Sequence, residues 1–263
     1  MNARFTILFA SAILAALAST AAAQGNVMNW TIDGIKRQAV VFAPKPGTTG
    51  VSHPLVFAFH GHGGSMQAAA QGMHFQSLWP EAIVVYPEGL PTVTKIDPQG
   101  LHPGWQNEPG DEGDRDLKFF DAMLATLRQQ YSVDEKRIYS TGFSNGGGFT
   151  YLLWCVRANV LAALGECAGR LFPADHPSQP RPVLAIAGQA DTTDPFALQQ
   201  QSIETDRQVD SATGPGQACG QYCTFYPSST HTPVKTLIHP GGHVYPPWAS
   251  AAIVEFFKAH QHP

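Results

Sequence analysis

The chain has 263 residues, a formal net charge of −4 and only 14% charged residues. A chain of this length can bury the core of one α/β domain. Its mildly acidic charge, with no basic run, excludes partners held by a positive field, such as nucleic acid or an anionic membrane surface. The 25 glycines and 21 prolines indicate a loop-rich domain rather than a helical repeat or a disordered tail.

The first 23 residues have the pattern of a secretory signal peptide. Arg4 supplies a positive start, residues 5–17 are almost entirely apolar, and Ala21-Ala22-Ala23 offers a cleavage site for small residues. The apolar run is too short and wrongly flanked for a spanning helix. We therefore expect cleavage near Ala23, a mature domain over 24–263 and a secreted or periplasmic location.

Short apolar runs rich in β-branched residues predict eight strands, at 29–32, 38–43, 54–60, 82–87, 137–142, 161–168, 183–188 and 234–239. Helical patterns separate several of them, and 116–131 shows an apolar period near 3.6. This alternation predicts a mostly parallel sheet with helices on both faces, in one α/β domain. Two long loops, 89–113 and 192–233, interrupt the order, and loops of this length are typically functional or mobile.

Residues 142–146 read GFSNG, a G-x-S-x-G turn placed between a predicted strand and a predicted helix. In that setting the turn strains the serine backbone and projects the hydroxyl above the sheet, beside the N-terminus of the helix. The alternative is that Ser144 is an ordinary N-cap. Glycines at 146, 147 and 148 disfavour it, because they would weaken a helix start. The pattern predicts that Ser144 is a nucleophile.

A nucleophilic serine needs a histidine base, which follows the serine in chain order when the turn is of this type. His243 lies just past the last predicted strand, at the carboxyl edge of the sheet, where ligands bind open α/β sheets. His231 and His239 are the competitors. His231 lies in the long 192–233 loop, and His239 ends the strand. We therefore predict His243 as the base.

The acid that orients the histidine should follow the strand 183–188. Asp191 lies three residues beyond this strand and has no other evident role. Asp194 precedes Pro195, which is typical of a helix N-cap followed by proline at the first helical position. We choose Asp191 and keep Asp194 as the alternative.

The segment HGHGG at 60–64 is expected to form one side of an oxyanion hole. Its glycines allow the backbone to approach the substrate, and we predict the His62 and Asn145 amides as the two donors. An alternative takes His60 and His62 as zinc ligands, but no second cluster of ligands follows them. We expect no metal and no cofactor, and a structural hydrogen bond for His60.

Three further features are open to a functional and a structural interpretation. Trp105 and Trp248 flank the predicted site in the sequence and would stack on a planar or sugar substrate, or else anchor loops. The acidic run at 111–116 lacks the ligand spacing of a calcium loop, and an acidic helix start explains it better.

Four cysteines in an oxidising compartment allow three disulfide pairings. Cys219 and Cys223 share one short loop and are predicted to pair. Cys155 falls late in a predicted helix and Cys167 at the end of the next strand. These positions lie at opposite ends of the sheet, so both are expected to remain buried thiols.

The segments HGHGGS, GWQ, GFSNGGG, AGQADTTDPF and PGGHVYP together resemble carbohydrate esterase family 1. This group includes polyhydroxybutyrate depolymerase-like proteins and feruloyl esterases. The resemblance extends from about residue 40 to residue 257 and implies an α/β-hydrolase fold, a secreted esterase and a triad of Ser144, Asp191 and His243. Two departures matter. The acid motif begins Ala187-Gly188 rather than His-Gly, and the loop after it carries Thr-Thr-Asp before Pro195, which keeps Asp194 open.

These observations predict a secreted serine carboxylic-ester hydrolase that works through an acyl-enzyme. The preferred substrate is a feruloyl ester of a plant polysaccharide, and the alternatives are hydroxyalkanoate oligomers and acetylated xylan. A non-catalytic carbohydrate- or polymer-binding protein on the same scaffold is the rival from another class, and a serine peptidase or acyltransferase is a third. We expect an ester substrate as the partner, no nucleic acid or membrane, and a monomer.

Overall fold

A computed structural model describes residues 25–44 and 51–262. The predicted signal peptide and its cleavage site near Ala23 lie outside these residues. Within the two described ranges, every helix is too short or too polar to cross a bilayer.

The strands in chain order are β1 Asn26–Ile32, β2 Ile35–Phe42, β3 His53–Phe59, β4 Ile83–Pro87, β5 Leu90–Pro91, β6 Pro103–Gly104, β7 Val133–Phe143, β8 Ala163–Cys167, β9 Val183–Gly188, β10 Gln217–Gly220, β11 Cys223–Tyr226 and β12 Val234–His239. The helices are α1 Met66–Met73, α2 Phe75–Leu78, α3 Arg115–Gln130, α4 Asn145–Arg157, α5 Phe196–Val209 and α6 Ala249–Ala259, and a 3-10 turn at Asp111–Asp114 precedes α3.

Ten strands form one mixed sheet, in the order β1-β2-β4-β3-β7-β8-β9-β12-β11-β10. The pairings from β4 to β12 are parallel, and those at the two edges are antiparallel. The predicted mostly parallel α/β sheet is therefore confirmed, but the count of eight strands was wrong. The two additional strands, β10 and β11, form a hairpin within the 192–233 loop. All four residues of β10 are exposed, so no apolar run marked it in the sequence.

The core lies on both faces of the sheet, because alternate residues of each central strand point to opposite sides. On one face, Val56 and Ala58 of β3 pack with side chains of α1, α2 and α6. On the other face, Leu55 and Phe57 of the same strand pack with side chains of α3 and α4. The helices thus cover both faces, as the sequence predicts.

The first hairpin has the geometry that its Asp-Gly sequence predicts. Asp33 and Gly34 connect β1 to β2, and their φ angles are 49° and 81°. Two successive residues with positive φ define the tight turn whose twist matches paired strands.

The disulfide follows the prediction, and of the two cysteines expected to be buried thiols only Cys167 is fully buried. Cys219 and Cys223 form a disulfide with a Cα–Cα distance of 5.1 Å, which ties β10 to β11. Cys155 and Cys167 are free, the first partly buried and the second fully buried.

The 89–113 loop is partly ordered as a small ribbon of β5 and β6. The part of the loop after β6 is fixed by Gln106. Its backbone N–H donates to the buried Asp116 carboxylate at 2.9 Å. Asp116 in turn pairs with the buried Arg37 of β2 at 2.8 Å. This anchoring places the loop over the carboxyl ends of β3 and β7, where the predicted site lies.

Candidate active site

Ser144 occupies a strained turn between β7 and α4. Its φ of 56° and ψ of −121° are unfavourable for a residue with a side chain. The turn is held on both sides, because the Ser144 amide donates to the Cys167 carbonyl at 2.8 Å and its carbonyl accepts from the Gly148 amide at 2.9 Å. The strain is therefore maintained by the neighbouring strand and by the first turn of α4.

Two glycines of the turn are required by close approach of the backbone. A Cβ on Gly142 would lie 2.2 Å from the Gly146 carbonyl oxygen. A Cβ on Gly146 would lie 2.4 Å from the carbonyl oxygen of Phe59 on β3. Neither position can hold a larger residue without displacement of the backbone around the serine.

The structure brings His243 to Ser144. The His243 Nε2 atom lies 2.7 Å from the Ser144 hydroxyl oxygen, across 99 residues of sequence. His243 belongs to the loop that follows β12, and its ring centroid lies 5.2 Å from that of Phe143. Phe143, the residue before the serine, thus supports the imidazole on one side.

The structure also brings Asp191 to His243, with its Oδ2 atom 2.7 Å from the histidine Nδ1. The Asp191 side chain is fully buried. Its Oδ1 accepts the amide N–H groups of Thr193 and Asp194, each at 2.9 Å. Its Oδ2 also accepts the Gln199 side-chain N–H at 2.9 Å. An ionised carboxylate can only accept hydrogen bonds, so the Nδ1 atom of His243 must carry the imidazole proton. The Nε2 atom is then unprotonated and can accept from the serine hydroxyl.

Asp194, the alternative acid, faces another partner. Its carboxylate pairs with the Arg170 guanidinium at 2.7 Å. Burial raises the pKa of Asp194, and Arg170 opposes that rise. Of the two acids that the sequence left open, Asp191 is the one in contact with the histidine.

The HGHGG loop lies directly against the serine, between β3 and α1. A Cβ on Gly61 would lie 3.4 Å from the Ser144 Cβ. The two amides that follow His62 serve the loop itself, since the Gly63 amide donates to the Pro103 carbonyl at 2.7 Å and the Gly64 amide to the Gly61 carbonyl at 2.9 Å. The His62 amide is therefore the donor to consider on this side.

Asn145 is the first residue of α4, where a helix leaves its amide N–H groups without intrahelical acceptors. Its side chain fixes the 89–113 loop. The Asn145 Oδ1 accepts the Trp105 amide at 2.7 Å, and its Nδ2 donates to the Trp105 carbonyl at 3.0 Å.

His60 has the structural role that the sequence predicts. Its Nδ1 donates to the Gly61 carbonyl at 2.8 Å, and its Nε2 accepts the Gly89 amide at 3.0 Å. Burial lowers the pKa of His60, which agrees with the neutral ring that this pair of bonds requires.

The two tryptophans differ in position. Trp105 is fully buried, its indole N–H donates to the His60 carbonyl at 2.8 Å, and its ring stacks with Phe149. The expectation that Trp105 stacks on a substrate was therefore wrong, because neither face of its ring is available. It anchors the loop instead. Trp248 is only partly buried, with its ring 6.4 Å from that of Tyr222, and its role in substrate binding stays a prediction.

A cavity of about 300 Å³ opens next to Gly61 and Phe143, two neighbours of Ser144. Its walls are mostly apolar and come from the HGHGG loop, α1 and the two aromatic residues near His243. They are His60, Gly61, Gly64, Ala68, Ala69, Gly72, Met73, Phe143 and Tyr245.

Sequence reasoning missed Gln199, Phe143 and Tyr245. Phe143 could have been found as the residue before the serine in the G-x-S-x-G turn, because it is adjacent to Ser144 in the sequence. Gln199 carried no signal, because its contact with Asp191 depends on the path of the loop after β9.

Comparisons with known proteins now identify the family. Residues 39–217 match the family model described as "Esterase PHB depolymerase". The chain belongs to this family. The family description names an esterase, which is the class of enzyme that the sequence predicts.

Several curated relatives carry the name feruloyl esterase, and two of them illustrate the match. Feruloyl esterase D of Neurospora crassa is 30% identical over 197 residues, which cover 72% of this chain and 60% of the relative. Feruloyl esterase C of Emericella nidulans is 28% identical over 240 residues, which cover 85% of this chain and 84% of the relative. The chain thus spans slightly less than two thirds of feruloyl esterase D and most of feruloyl esterase C.

Solved structures agree on the fold. An acetyl xylan esterase from Aspergillus awamori superposes with a TM-score of 0.67 at 13% identity, covering 89% of this chain and 99% of that one. A CE1 ferulic acid esterase from Anaeromyces mucronatus, solved with ferulic acid, gives a TM-score of 0.59 at 13% identity and covers 92% of both chains. These likenesses confirm the predicted α/β-hydrolase fold.

Proposed function

We propose that the protein hydrolyses feruloyl esters of plant polysaccharides through Ser144, His243 and Asp191. The observation that carries the proposal is the continuous chain of two 2.7 Å hydrogen bonds from the serine hydroxyl through the imidazole to a buried carboxylate. Nucleophile, base and orienting acid at these distances are the arrangement that covalent acyl transfer requires.

In the first half of the reaction, Ser144 attacks the ester carbonyl carbon while His243 Nε2 removes its hydroxyl proton. The carbonyl oxygen becomes an oxyanion, for which we assign the His62 and Asn145 amides as donors. The tetrahedral intermediate then expels the alcohol, which takes the proton from His243. The product is an ester between the acyl group and Ser144.

In the second half, water takes the place of the alcohol. His243 accepts a proton from the water as it attacks the acyl-enzyme carbonyl, and returns this proton to Ser144 when the free acid leaves. Asp191 keeps the imidazole in the required tautomer and stabilises its charged form in both halves. The Asp191 carboxylate is held by Thr193, Asp194 and Gln199, so it is oriented before substrate binds.

The choice of a feruloyl group rests on the cavity and on the relatives. At about 300 Å³, the cavity is at the small end of ligand sites, which range over roughly 300–1,000 Å³. Its apolar walls suit a compact hydrophobic acyl group, and two of its lining residues, Gly61 and Phe143, are neighbours of Ser144. The named relatives act on feruloyl esters by their titles.

The family description favours a second candidate, a depolymerase of hydroxyalkanoate oligomers. An acetyl xylan esterase among the structural neighbours provides a third ester for comparison. Rates on methyl ferulate, hydroxybutyrate oligomers and acetylated xylan decide among them. We expect the highest kcat/KM on methyl ferulate, and a clear preference for the oligomer would replace the feruloyl assignment.

The triad itself is tested with Ser144→Ala on p-nitrophenyl acetate and methyl ferulate. We expect loss of at least about 10⁴ in kcat, with the wild-type far-ultraviolet circular dichroism retained. Ser77→Ala is the matched control, because Ser77 is exposed on α2, and it should keep full activity. Equal rates for wild type and Ser144→Ala would refute the serine esterase, and equal rates at the uncatalysed level would leave the non-catalytic binding protein.

We also propose that the mature protein is exported and begins near Gln24, and that it is a single-domain monomer. Mass spectrometry of the exported protein tests the cleavage position after Ala23. Light scattering at several concentrations tests the monomer.

A further inference from the structure

Asp97, in the middle of the 89–113 loop, joins two histidines. Its Oδ2 accepts from the His62 ring at 3.1 Å, from the His102 ring at 3.0 Å and from the His102 amide at 2.9 Å. The side chains of His62 and Asp97 are 8% and 10% exposed, whereas that of His102 is 64% exposed. The contact between Asp97 and His62 is therefore shielded from solvent. Of the three side chains, that of His102 is the one exposed to solvent.

The groups around Asp97 favour the ionised form of its carboxyl. Burial acts to raise the pKa of this carboxyl, but N–H groups of His102, Leu101 and the His62 ring outweigh it and hold the pKa well below its usual range. The Asp97–His62 contact is thus a charge-assisted hydrogen bond, which is stronger than a bond between neutral groups.

His62 is the one residue of the segment 61–64 that has a side chain to anchor, because the other three are glycines. Glycine backbones have the widest conformational freedom of any residue. The position of the His62 amide is therefore set by the Gly63–Pro103 backbone bond on one side and by the Asp97–His62 bond through the ring. Both bonds come from the 89–113 loop.

The same loop also fixes the second donor. Trp105, one residue beyond β6, bonds through its amide and its carbonyl to the side chain of Asn145. One segment of chain thus contacts both His62 and Asn145.

We propose that Asp97 is a positioning residue for the oxyanion hole, acting through the His62 ring to hold the His62 amide in place. The inference rests on the proposed function. An oxyanion-hole donor is effective only when it lies about 2.7–3.1 Å from the oxygen that becomes charged. Without its anchor at Asp97, the glycine segment would sample other positions, and the oxyanion would lose part of its stabilisation while substrate binding in the cavity stayed intact.

The test compares Asp97→Asn and Asp97→Ala with wild type on methyl ferulate. Complete loss of one oxyanion donor costs about 10²–10³ in kcat. A loosened donor should therefore lower kcat about 10- to 100-fold and leave KM within about twofold. A boronic acid that forms a tetrahedral adduct with Ser144 should bind more weakly by the same factor, whereas binding of the product ferulate should not change.

The matched control is Asp114→Asn. Asp114 is also a carboxylate of this region that accepts loop N–H groups, from Gln106 at 3.0 Å and Gly110 at 2.7 Å, but it does not contact His62. It should retain wild-type kcat. If Asp97→Ala fails to fold, as judged by circular dichroism and urea denaturation, Asp97→Asn carries the test because it keeps the shape and one acceptor oxygen.

Three results would overturn the inference. The first is an unchanged kcat in both Asp97 variants. The second is an equal loss in Asp114→Asn, which would show only that the loop was destabilised.

The third concerns metal binding, because the ligand atoms of His62, Asp97 and His102 lie within 4.8 Å of one another. If a chelator abolished wild-type activity, Zn²⁺ restored it and His102→Ala behaved like Asp97→Asn, the three residues would be a metal site instead. An inactive Ser144→Ala beside unaffected Asp97→Asn and Asp97→Ala would leave the proposed function standing and reject this inference alone.

Discussion

Replacement of Asp191 by asparagine tests the acid with almost no change in shape. The Asp191 Oδ1 accepts two backbone N–H groups, from Thr193 and Asp194. An asparagine at this position must keep its carbonyl oxygen there, since its NH₂ group cannot accept. Its NH₂ group then faces His243 Nδ1, where the carboxylate oxygen was.

That orientation reverses the hydrogen bond to the histidine. An NH₂ group donates to Nδ1, so the imidazole proton moves to Nε2, the nitrogen that lies 2.7 Å from the Ser144 hydroxyl. A protonated Nε2 cannot accept the serine proton. The same exchange in a serine protease triad lowers kcat by about 10⁴, which corresponds to about 5.4 kcal/mol of transition-state stabilisation at about 1.36 kcal/mol per tenfold.

We expect Asp191→Asn to reduce kcat on p-nitrophenyl acetate by about 10⁴ and to fold normally. Asp194→Asn is the matched control, because it is three residues away and pairs with Arg170 rather than with the histidine. It should keep most of the activity. If Asp194→Asn were the inactive variant and Asp191→Asn retained more than about a tenth of the rate, the acid would be Asp194 and the argument from the hydrogen bonds would be wrong.

Three further predictions concern stability, substrate range and pH. Trp105→Ala should lower the free energy of unfolding in urea by about 3–5 kcal/mol, because the ring is fully buried; an unchanged stability with a raised KM would restore its role in substrate binding. Trp248→Ala should raise KM on a feruloylated polysaccharide about two- to tenfold, equivalent to about 0.5–1.5 kcal/mol of ring stacking, and leave methyl ferulate unaffected; equal KM values on the polymer would exclude it from the substrate site. Burial raises the pKa of Asp210 to about 9 from its ordinary value of 3.8. Between these two values the unfolded chain ionises Asp210 while the folded protein keeps it protonated. The contribution of Asp210 to stability is therefore complete below pH 3.8 and is lost as the pH rises towards 9. Asp210→Asn should therefore flatten the fall in unfolding free energy between about pH 5 and 8.5, by up to about 1.4 kcal/mol per pH unit, and a variant curve parallel to that of wild type would contradict this.

The sequence located the candidate triad because its members lie close to strand ends. Ser144 and His243 each fall within five residues of the end of a strand, and parallel strands bring their carboxyl ends to one edge of the sheet. The choice between Asp191 and Asp194 could not be made in this way. Both follow β9, and only the hydrogen bonds of the loop decide which carboxylate turns to the histidine.

The parts that the sequence did not predict depend on contacts distant along the chain. Trp105 lies in a long polar loop, and nothing local indicates that the loop turns back and buries the ring against Phe149. The β11 strand pairs with β12 in a register that joins Cys223 to Leu237, and its partner β10 is exposed throughout. Asp97 has no recognisable motif, because its partner His62 is 35 residues away.

The disulfide-bonded hairpin has a consequence for how copies of the protein meet. β10 is the last strand at one edge of the large sheet, and an edge strand offers unpaired N–H and C=O groups to other chains. This one is only four residues long, its register shifts between Ala218 and Gly220, and Cys219 is tied to Cys223. A short and irregular edge is a poor template for another strand, so the hairpin protects this end of the sheet against edge-to-edge aggregation.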